Sequence, residues 1–342
     1  MGKKIGILTG GGDCPGLNPV IRAVVRTALR DNWEAVGFRN GWKGLVENDI
    51  IALTERSVSG ILHRGGTVLG TSRTNPYKNE SDIQKVRQNF KANGLHALIA
   101  VGGEDTLGVA AKLAKEGFPV VGVPKTIDND LACTDFTFGF DTAVNVAMEC
   151  IDRLHTTAES HNRVIVVEIM GRHAGWISLY AGLAGGADVI LIPEKPINID
   201  EVCESIRKRH SKGKLFSIVA VAEGAQFADK DITKEDKLDQ FGHVRLGGIG
   251  QVLADLIEKK TGFEARVTVL GHIQRGGSPS AFDRVLGTRF GYKAVELIEQ
   301  GKFGHMVSLQ GNDIAAVPLE DATKSLKLVP NELYDLAKIF FG

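Results

Sequence analysis

Residues 5–29 read IGILTGGGDCPGLNPVIRAVVRTAL. Ile5 to Thr9 is a short apolar run that fits a buried strand. Gly10 to Asn18 then turns with little side-chain bulk, and from Asn18 to Leu29 apolar residues recur at helical spacing. The same alternation continues along the chain. Leu98 to Val101, Val120 to Val123, Val164 to Ile169, Val189 to Ile192, Ile218 to Ala222 and Val267 to Leu270 read as further strands. Ser81 to Phe90, Thr106 to Lys115 and Val252 to Lys260 read as further helices. Strands alternating with helices imply an α/β fold of largely parallel sheets flanked by helices. Ligands in such folds sit at the carboxyl ends of the strands.

The chain has 342 residues, 43% of them hydrophobic and 24% charged, enough for two packed domains. Lys+Arg 41 balance Asp+Glu 41, so no basic excess is present to bind a nucleic acid or an anionic membrane. Any basic cluster must be local and suited to a small anion. Met1 to Ile5 runs straight into a strand without the apolar core of a secretory signal, and no later stretch reaches the ~18 apolar residues of a membrane span. A cytoplasmic protein is expected. Cys14, Cys133, Cys150 and Cys203 are scattered, without C-x-x-C or zinc-like spacing, and are expected to be reduced. No repeat or low-complexity linker divides the chain, and the polar stretch from Ala228 to Gln240 reads as a solvated excursion.

Several glycine turns at strand ends carry charge. Gly10-Gly11-Gly12-Asp13-Cys14-Pro15-Gly16-Leu17-Asn18 opens a helix, so backbone N–H groups and the positive helix end can face a phosphate. It matches neither of the common glycine-rich phosphate-loop patterns, and a plain strand-to-helix turn explains it equally well. Gly102-Gly103-Glu104-Asp105-Thr106 repeats the arrangement with two carboxylates, which suits a Mg²⁺ bridged to phosphate. Alternatively, Glu104 and Asp105 favour a first helical turn and Thr106 caps it. In Pro124-Lys125-Thr126-Ile127-Asp128-Asn129-Asp130, an extended chain turns Thr126, Asp128 and Asp130 to one side. A kinase needs such a set, with one carboxylate to take a proton and another near a metal, although an Asx-rich turn has the same composition. Met170-Gly171-Arg172-His173-Ala174-Gly175-Trp176 and Gly271-His272-Ile273-Gln274-Arg275-Gly276-Gly277 offer further cations to an anion. Each alone fits a surface turn with a solvated cation. Together, at the ends of strands, they are harder to read as surface turns alone.

In order, GGGDCPGLN, GGEDT, PKTIDND, MGRHAGW and GHIQRGG resemble the motif series of the phosphofructokinases, over about residues 3 to 310. The resemblance implies two similar α/β domains: 1–139 plus about 274–325 for the phosphoryl donor, and 140–273 for the sugar phosphate, with 326–342 packing back. It implies homodimers or homotetramers whose subunits complete one another's sites. Asp128 is then the base for the 1-hydroxyl of fructose 6-phosphate, Thr126 and Asp130 support it, and Arg172 steadies the phosphoryl group. Met170, Gly171, Glu223, His272 and Arg275 hold the sugar phosphate, with Arg163 and Arg266 reaching in from a neighbouring subunit. Gly11, Arg73, Glu104, Asp105, Thr106 and Lys125 face the donor, and Glu104 and Asp130 lie near Mg²⁺.

Asp105 and Lys125 stand where short ATP-using bacterial members carry glycine, and both resemble the pyrophosphate-using branch. Glu104 departs from the commoner Asp. The segment between Glu223 and Arg266 resembles that of a subgroup holding enzymes of both donors. The expected reaction is therefore phosphoryl transfer from pyrophosphate to fructose 6-phosphate, with ATP as the alternative donor. GGEDT alone also resembles a turn of NAD and lipid kinases, which lack the PKTIDND and GHIQRGG partners. A non-catalytic sugar-phosphate sensor on the same fold should have lost the base or the cation, and both Asp128 and Arg172 are present.

Overall fold

A computed structural model describes residues 2–229 and 247–341, so most of the expected polar excursion, from residue 230 onward, lies outside the described residues. The strands in chain order are β1 (Lys4–Thr9), β2 (Glu34–Phe38), β3 (Ile50–Leu53), β4 (Ala97–Gly102), β5 (Val120–Thr126) and β6 (Phe138–Gly139). They continue as β7 (Val164–Ile169), β8 (Val189–Leu191), β9 (Ser217–Ala222), β10 (Ala265–Val269), β11 (His305–Gln310) and β12 (Asp313–Pro318). The chain forms two compact units. Unit 1 comprises Met1–Ile127, Leu131–Thr142 and Arg275–Leu326; unit 2 comprises Asp128–Asp130, Ala143–Gln274 and Lys327–Gly342. The carboxylate segment Asp128–Asp130, expected within the first domain, groups with unit 2.

The sheet of unit 1 runs β12-β11-β5-β4-β1-β2-β3, with β6 beside β5. Its interior pairs are parallel, and β3 and β12 close the edges antiparallel. From β1 the chain moves outward to β2 and later returns on the other side as β4. The crevice at the carboxyl ends of β1 and β4 is thus the switch point where ligands of open α/β sheets bind. Ala97–Gly102 is buried along its length, as a strand covered on both faces requires. The helix Leu17–Arg30 buries Val20, Ile21, Val24, Val25 and Ala28 at the expected spacing. Phe38, Trp42, Leu98, Leu107 and Met306 belong to the hydrophobic core of this unit.

Unit 2 holds a parallel sheet in the order β10-β7-β9-β8. Its switch point lies between β7 and β10, and the turns after these strands are the Met170 and Gly271 motifs. Val166, Val219, Val221, Leu253 and Ile257 form the core. β10 is an edge strand, and Val269 remains 59% exposed. Among the described residues no helix is long and apolar enough to cross a membrane. All four cysteines are free thiols.

Candidate active site

In unit 1 the first glycine turn is fixed by backbone bonds to its neighbours. Gly10 N–H donates to Val101 O (2.9 Å), Gly11 N–H to Ser72 O (3.0 Å), and Thr71 Oγ1 to Gly11 O (2.6 Å). The bond to Ser72 brings the exposed Arg73 beside the turn. Gly11 is left-handed (φ 79°), and a Cβ there would approach Lys125 Nζ at 3.4 Å. Lys125 is buried and its ammonium donates to the carbonyl of Gly12. A Cβ on Gly12 would lie 2.8 Å from Arg275 Nη1. Two cations, Lys125 and Arg275, therefore abut a turn with little side-chain bulk, a combination that suits a phosphate.

The second glycine turn leads directly into the helix Glu104–Lys115. Its cap is Gly103, without a side-chain capping bond, so Thr106 does not cap the helix. Thr106 is instead buried in the first turn, with its hydroxyl 2.6 Å from where a Cβ on Gly10 would sit. Glu104 and Asp105 are exposed at the positive end of this helix. Asp105 lines an open cleft of about 330 Å³ with Asn75, Lys112, Lys115, Glu320 and Thr323. Lys115 is paired to Glu320 (2.7 Å), and Lys112 sits over the Tyr77 ring at 5.3 Å.

The PKTIDND segment departs from the extended form expected of it. β5 ends at Thr126, and Asn129 is left-handed (φ 51°) and buried. Asn tolerates this conformation better than most residues, which suits a turn three residues beyond the strand end. Thr126, Asp128 and Asp130 are nevertheless half-buried while Ile127 and Asn129 are buried.

In unit 2 several of the residues expected from the sequence to hold the sugar phosphate gather at the carboxyl ends of β7, β9 and β10. Met170 N–H donates to Gln274 Oε1 (3.4 Å), and Gln274 Nε2 donates to Gly271 O (3.1 Å). Glu223 N–H donates to Ile169 O (2.8 Å) and Gly224 N–H to Gly171 O (3.0 Å). A Cβ on Gly224 would fall 2.0 Å from the Arg172 carbonyl, so only glycine lets the chain after β9 approach the arginine turn so closely. Met170, Gly171, Arg172, Glu223 and His272 are thereby brought to one end of the sheet. Arg163 and Arg266 are not. They lie at the amino ends of β7 and β10, and the six residues of β7 separate Arg163 from Met170 by roughly 20 Å of strand. Both bind Glu264, Arg163 through Nε at 2.8 Å, and the Arg163 guanidinium holds that carboxyl below the usual carboxylate range.

Two buried groups of unit 1 are strongly perturbed. Burial pushes the Cys14 thiol up to about 12, so it stays protonated and unreactive at neutral pH. Burial also raises Asp283 to about 6, against the opposing bonds from Thr142 N (2.8 Å) and Thr142 Oγ1 (2.5 Å). Asp283 thus ties the start of the helix Phe140–His161 to that of the helix Ala281–Glu299. Neither Gln274 nor Asp283 was singled out as a functional residue from the sequence. Gln274 lies inside the GHIQRGG motif, where an amide between a His and an Arg is easily passed over. Mg²⁺ is commonly held by only one or two carboxylates plus substrate phosphates. Glu104 in unit 1 and Asp130 in unit 2 are donors of that kind, while among the described residues no cluster of three or more His, Cys, Asp or Glu suits a metal.

A family model described as Phosphofructokinase matches residues 4–298. The pyrophosphate–fructose 6-phosphate 1-phosphotransferase of Streptomyces coelicolor is 59% identical over 342 residues, covering 99% of this chain and 100% of that protein. The ATP-dependent 6-phosphofructokinase of Mycobacterium tuberculosis is 54% identical, again over 99% of this chain and 100% of that protein. Among solved structures, the pyrophosphate-dependent phosphofructokinase of Marinobacter aquaeolei matches with a TM-score of 0.83 at 25% identity, covering 96% of this chain and 86% of that one.

Proposed function

The chain belongs to the phosphofructokinase family, and on that premise we propose that it transfers a phosphoryl group reversibly from pyrophosphate to the 1-hydroxyl of fructose 6-phosphate, giving fructose 1,6-bisphosphate and phosphate. The observation that carries the donor is the environment of the glycine turn in unit 1. Lys125 is buried against Gly12, offering a fixed cation to a short polyanion, and the exposed Asp105 lines the neighbouring cleft. The charges of Lys112 and Lys115 in that cleft already face Tyr77 and Glu320, which leaves them poorly disposed toward a nucleotide. Gly11, Arg73 and Thr106 complete the donor side.

On the acceptor side, Asp128 takes the proton of the 1-hydroxyl as it attacks, with Thr126 and Asp130 supporting it. Arg172 offers a cation to the charge on the transferring group, where a preorganised charge is most effective. Met170, Gly171, Glu223, His272 and Arg275 bind the sugar phosphate. Arg163 and Arg266, at the far end of the unit 2 sheet, serve the corresponding site of a neighbouring subunit, which supports a homodimer or homotetramer with shared sites. Glu104 and Asp130 would hold Mg²⁺, which when bound neutralises phosphate charge. Both substrates are polyanions that do not cross a hydrocarbon core unaided, which supports a cytoplasmic location.

Transfer from ATP is the second reading, favoured by the Mycobacterium tuberculosis relative named as ATP-dependent. Reversal separates the two. Incubation of fructose 1,6-bisphosphate with phosphate and Mg²⁺, and no nucleotide, is expected to yield pyrophosphate and fructose 6-phosphate, read by ³¹P NMR. No pyrophosphate formation, together with ATP formation when ADP replaces phosphate, would exchange the two readings.

A further inference from the structure

Trp176 closes the MGRHAGW motif, yet the proposed reaction gives it no role. It is buried, and its indole Nε1 donates to the carbonyl of Lys327 at 2.8 Å. The N–H of the same Lys327 donates to the carbonyl of Asp130 at 2.8 Å. Two residues further on, Val329 N–H donates to Glu194 Oε1 at 2.9 Å. Both oxygens of Glu194 also accept from Gly175 N–H at 3.1 Å, at the start of the helix Trp176–Ala184. All of these residues belong to unit 2.

The segment Lys327–Val329 is therefore bonded to the loop bearing Asp128 and Asp130, and to the turn bearing Arg172 directly through Trp176 and indirectly through Glu194. Residues far apart in sequence are joined through one short piece of backbone. The Lys327 ammonium lies 5.2 Å from the centre of the Trp176 ring and adds a cation–π interaction to the same junction. The carboxylate of Glu194 accepts N–H groups from both sides, a charge-assisted arrangement of above-average strength.

We propose that Lys327–Val329 is a strap that sets the proton-accepting loop and the arginine turn in register, and that Trp176 and Glu194 are positioning residues acting through it. The inference rests on the roles given above to Asp128 and Arg172. A misplacement of about 1 Å between reacting groups costs on the order of 10²-fold in rate, so loosening the strap acts on turnover. Neither substitution removes a group proposed to contact the sugar phosphate, and Met170 and Gly171 on that turn keep their own bonds to Gln274 and Gly224, so KM for fructose 6-phosphate is expected to change little.

Trp176→Phe keeps an aromatic ring but has no N–H for the Lys327 carbonyl, and Glu194→Gln gives up one of its two acceptor oxygens. Assayed well below its melting midpoint, each variant is expected to lose about tenfold in kcat, with KM for fructose 6-phosphate within about twofold of the parent. The double variant is expected to lose less than the product of the two, because both release one strap. Tyr334→Phe provides the comparison: it removes a bond from the following helix, Asn331–Lys338, to Ile190 O without touching the strap. It should lower the melting midpoint and leave kcat within about twofold. If Trp176→Phe does not fold, Glu194→Gln carries the test. The inference is overturned if the strap variants behave like Tyr334→Phe, losing stability at undiminished kcat, or if their loss is confined to KM. Normal turnover in Asp128→Asn would instead refute the assignment of the base, a separate result.

Discussion

Asp128→Asn is expected to lower kcat by about 10²-fold or more while leaving fructose 6-phosphate binding nearly intact. The two side chains have the same shape, and the amide can still accept a hydrogen bond from the 1-hydroxyl. It cannot take the proton, so the cost falls on the chemical step. The surroundings suit the experiment: Asp128 is half-buried in a short loop between the buried residues Ile127 and Asn129, so the substitution introduces little new volume. Turnover is read by coupled assay and binding by calorimetry on the same preparation. Near-normal turnover would remove Asp128 from the mechanism, and a loss confined to binding would make it a substrate-binding group.

The second large effect concerns donor choice, where two substitutions should act in opposite directions. Lys125→Gly removes a buried cation from the glycine turn, and a charge-assisted hydrogen bond contributes about 1.5–3 kcal/mol. The KM for pyrophosphate should then rise roughly 10- to 100-fold, with fructose 6-phosphate little affected. Asp105→Gly removes an exposed carboxylate and its bulk from the proposed path of the nucleoside side of ATP. Use of ATP should increase by about tenfold or more, as expected when a repulsive element against the wrong partner is withdrawn. Pyrophosphate ends before that point and should still be used. Steady-state kinetics with each donor in turn checks both statements. Equal losses for both donors in either variant would mean that the residue supports the site without choosing between them.

The alternating strands and helices were legible because the central strands are buried along their length and read as continuous apolar runs. β7, Val164–Ile169, was located at its exact ends for that reason. β2, β3, β6, β11 and β12 were missed. β3 and β12 are partly buried edge strands, β6 is only two residues long, and β2 and β11 interrupt their apolar residues with Glu34 and Gly37 or with His305, Ser308 and Gln310. In the carboxylate loop the alternation of half-buried Thr126, Asp128 and Asp130 with buried Ile127 and Asn129 was legible, whereas the left-handed turn at Asn129 was not, because asparagine tolerates that conformation without requiring it. Thr106 was read as a possible helix cap because threonine favours that place, yet the helix starts two residues earlier and the hydroxyl packs on the glycine turn. Glu194 and Lys327–Val329 were silent in the sequence for a different reason. Their bonds are made by backbone groups and by a carboxylate far along the chain, and no local pattern announces such a partner.

Pyrophosphate as donor is tested most directly by comparing kcat/KM for pyrophosphate and for ATP on the unmodified protein. Both are measured at saturating fructose 6-phosphate and Mg²⁺, with product formation followed by a coupled assay. The buried Lys125 and the exposed Asp105 predict a preference for pyrophosphate of at least about 10²-fold, the combined effect of a charge-assisted bond to the short donor and a repulsion that only ATP meets. Faster turnover and tighter use of ATP would contradict the account and make the chain an ATP-dependent member of its family.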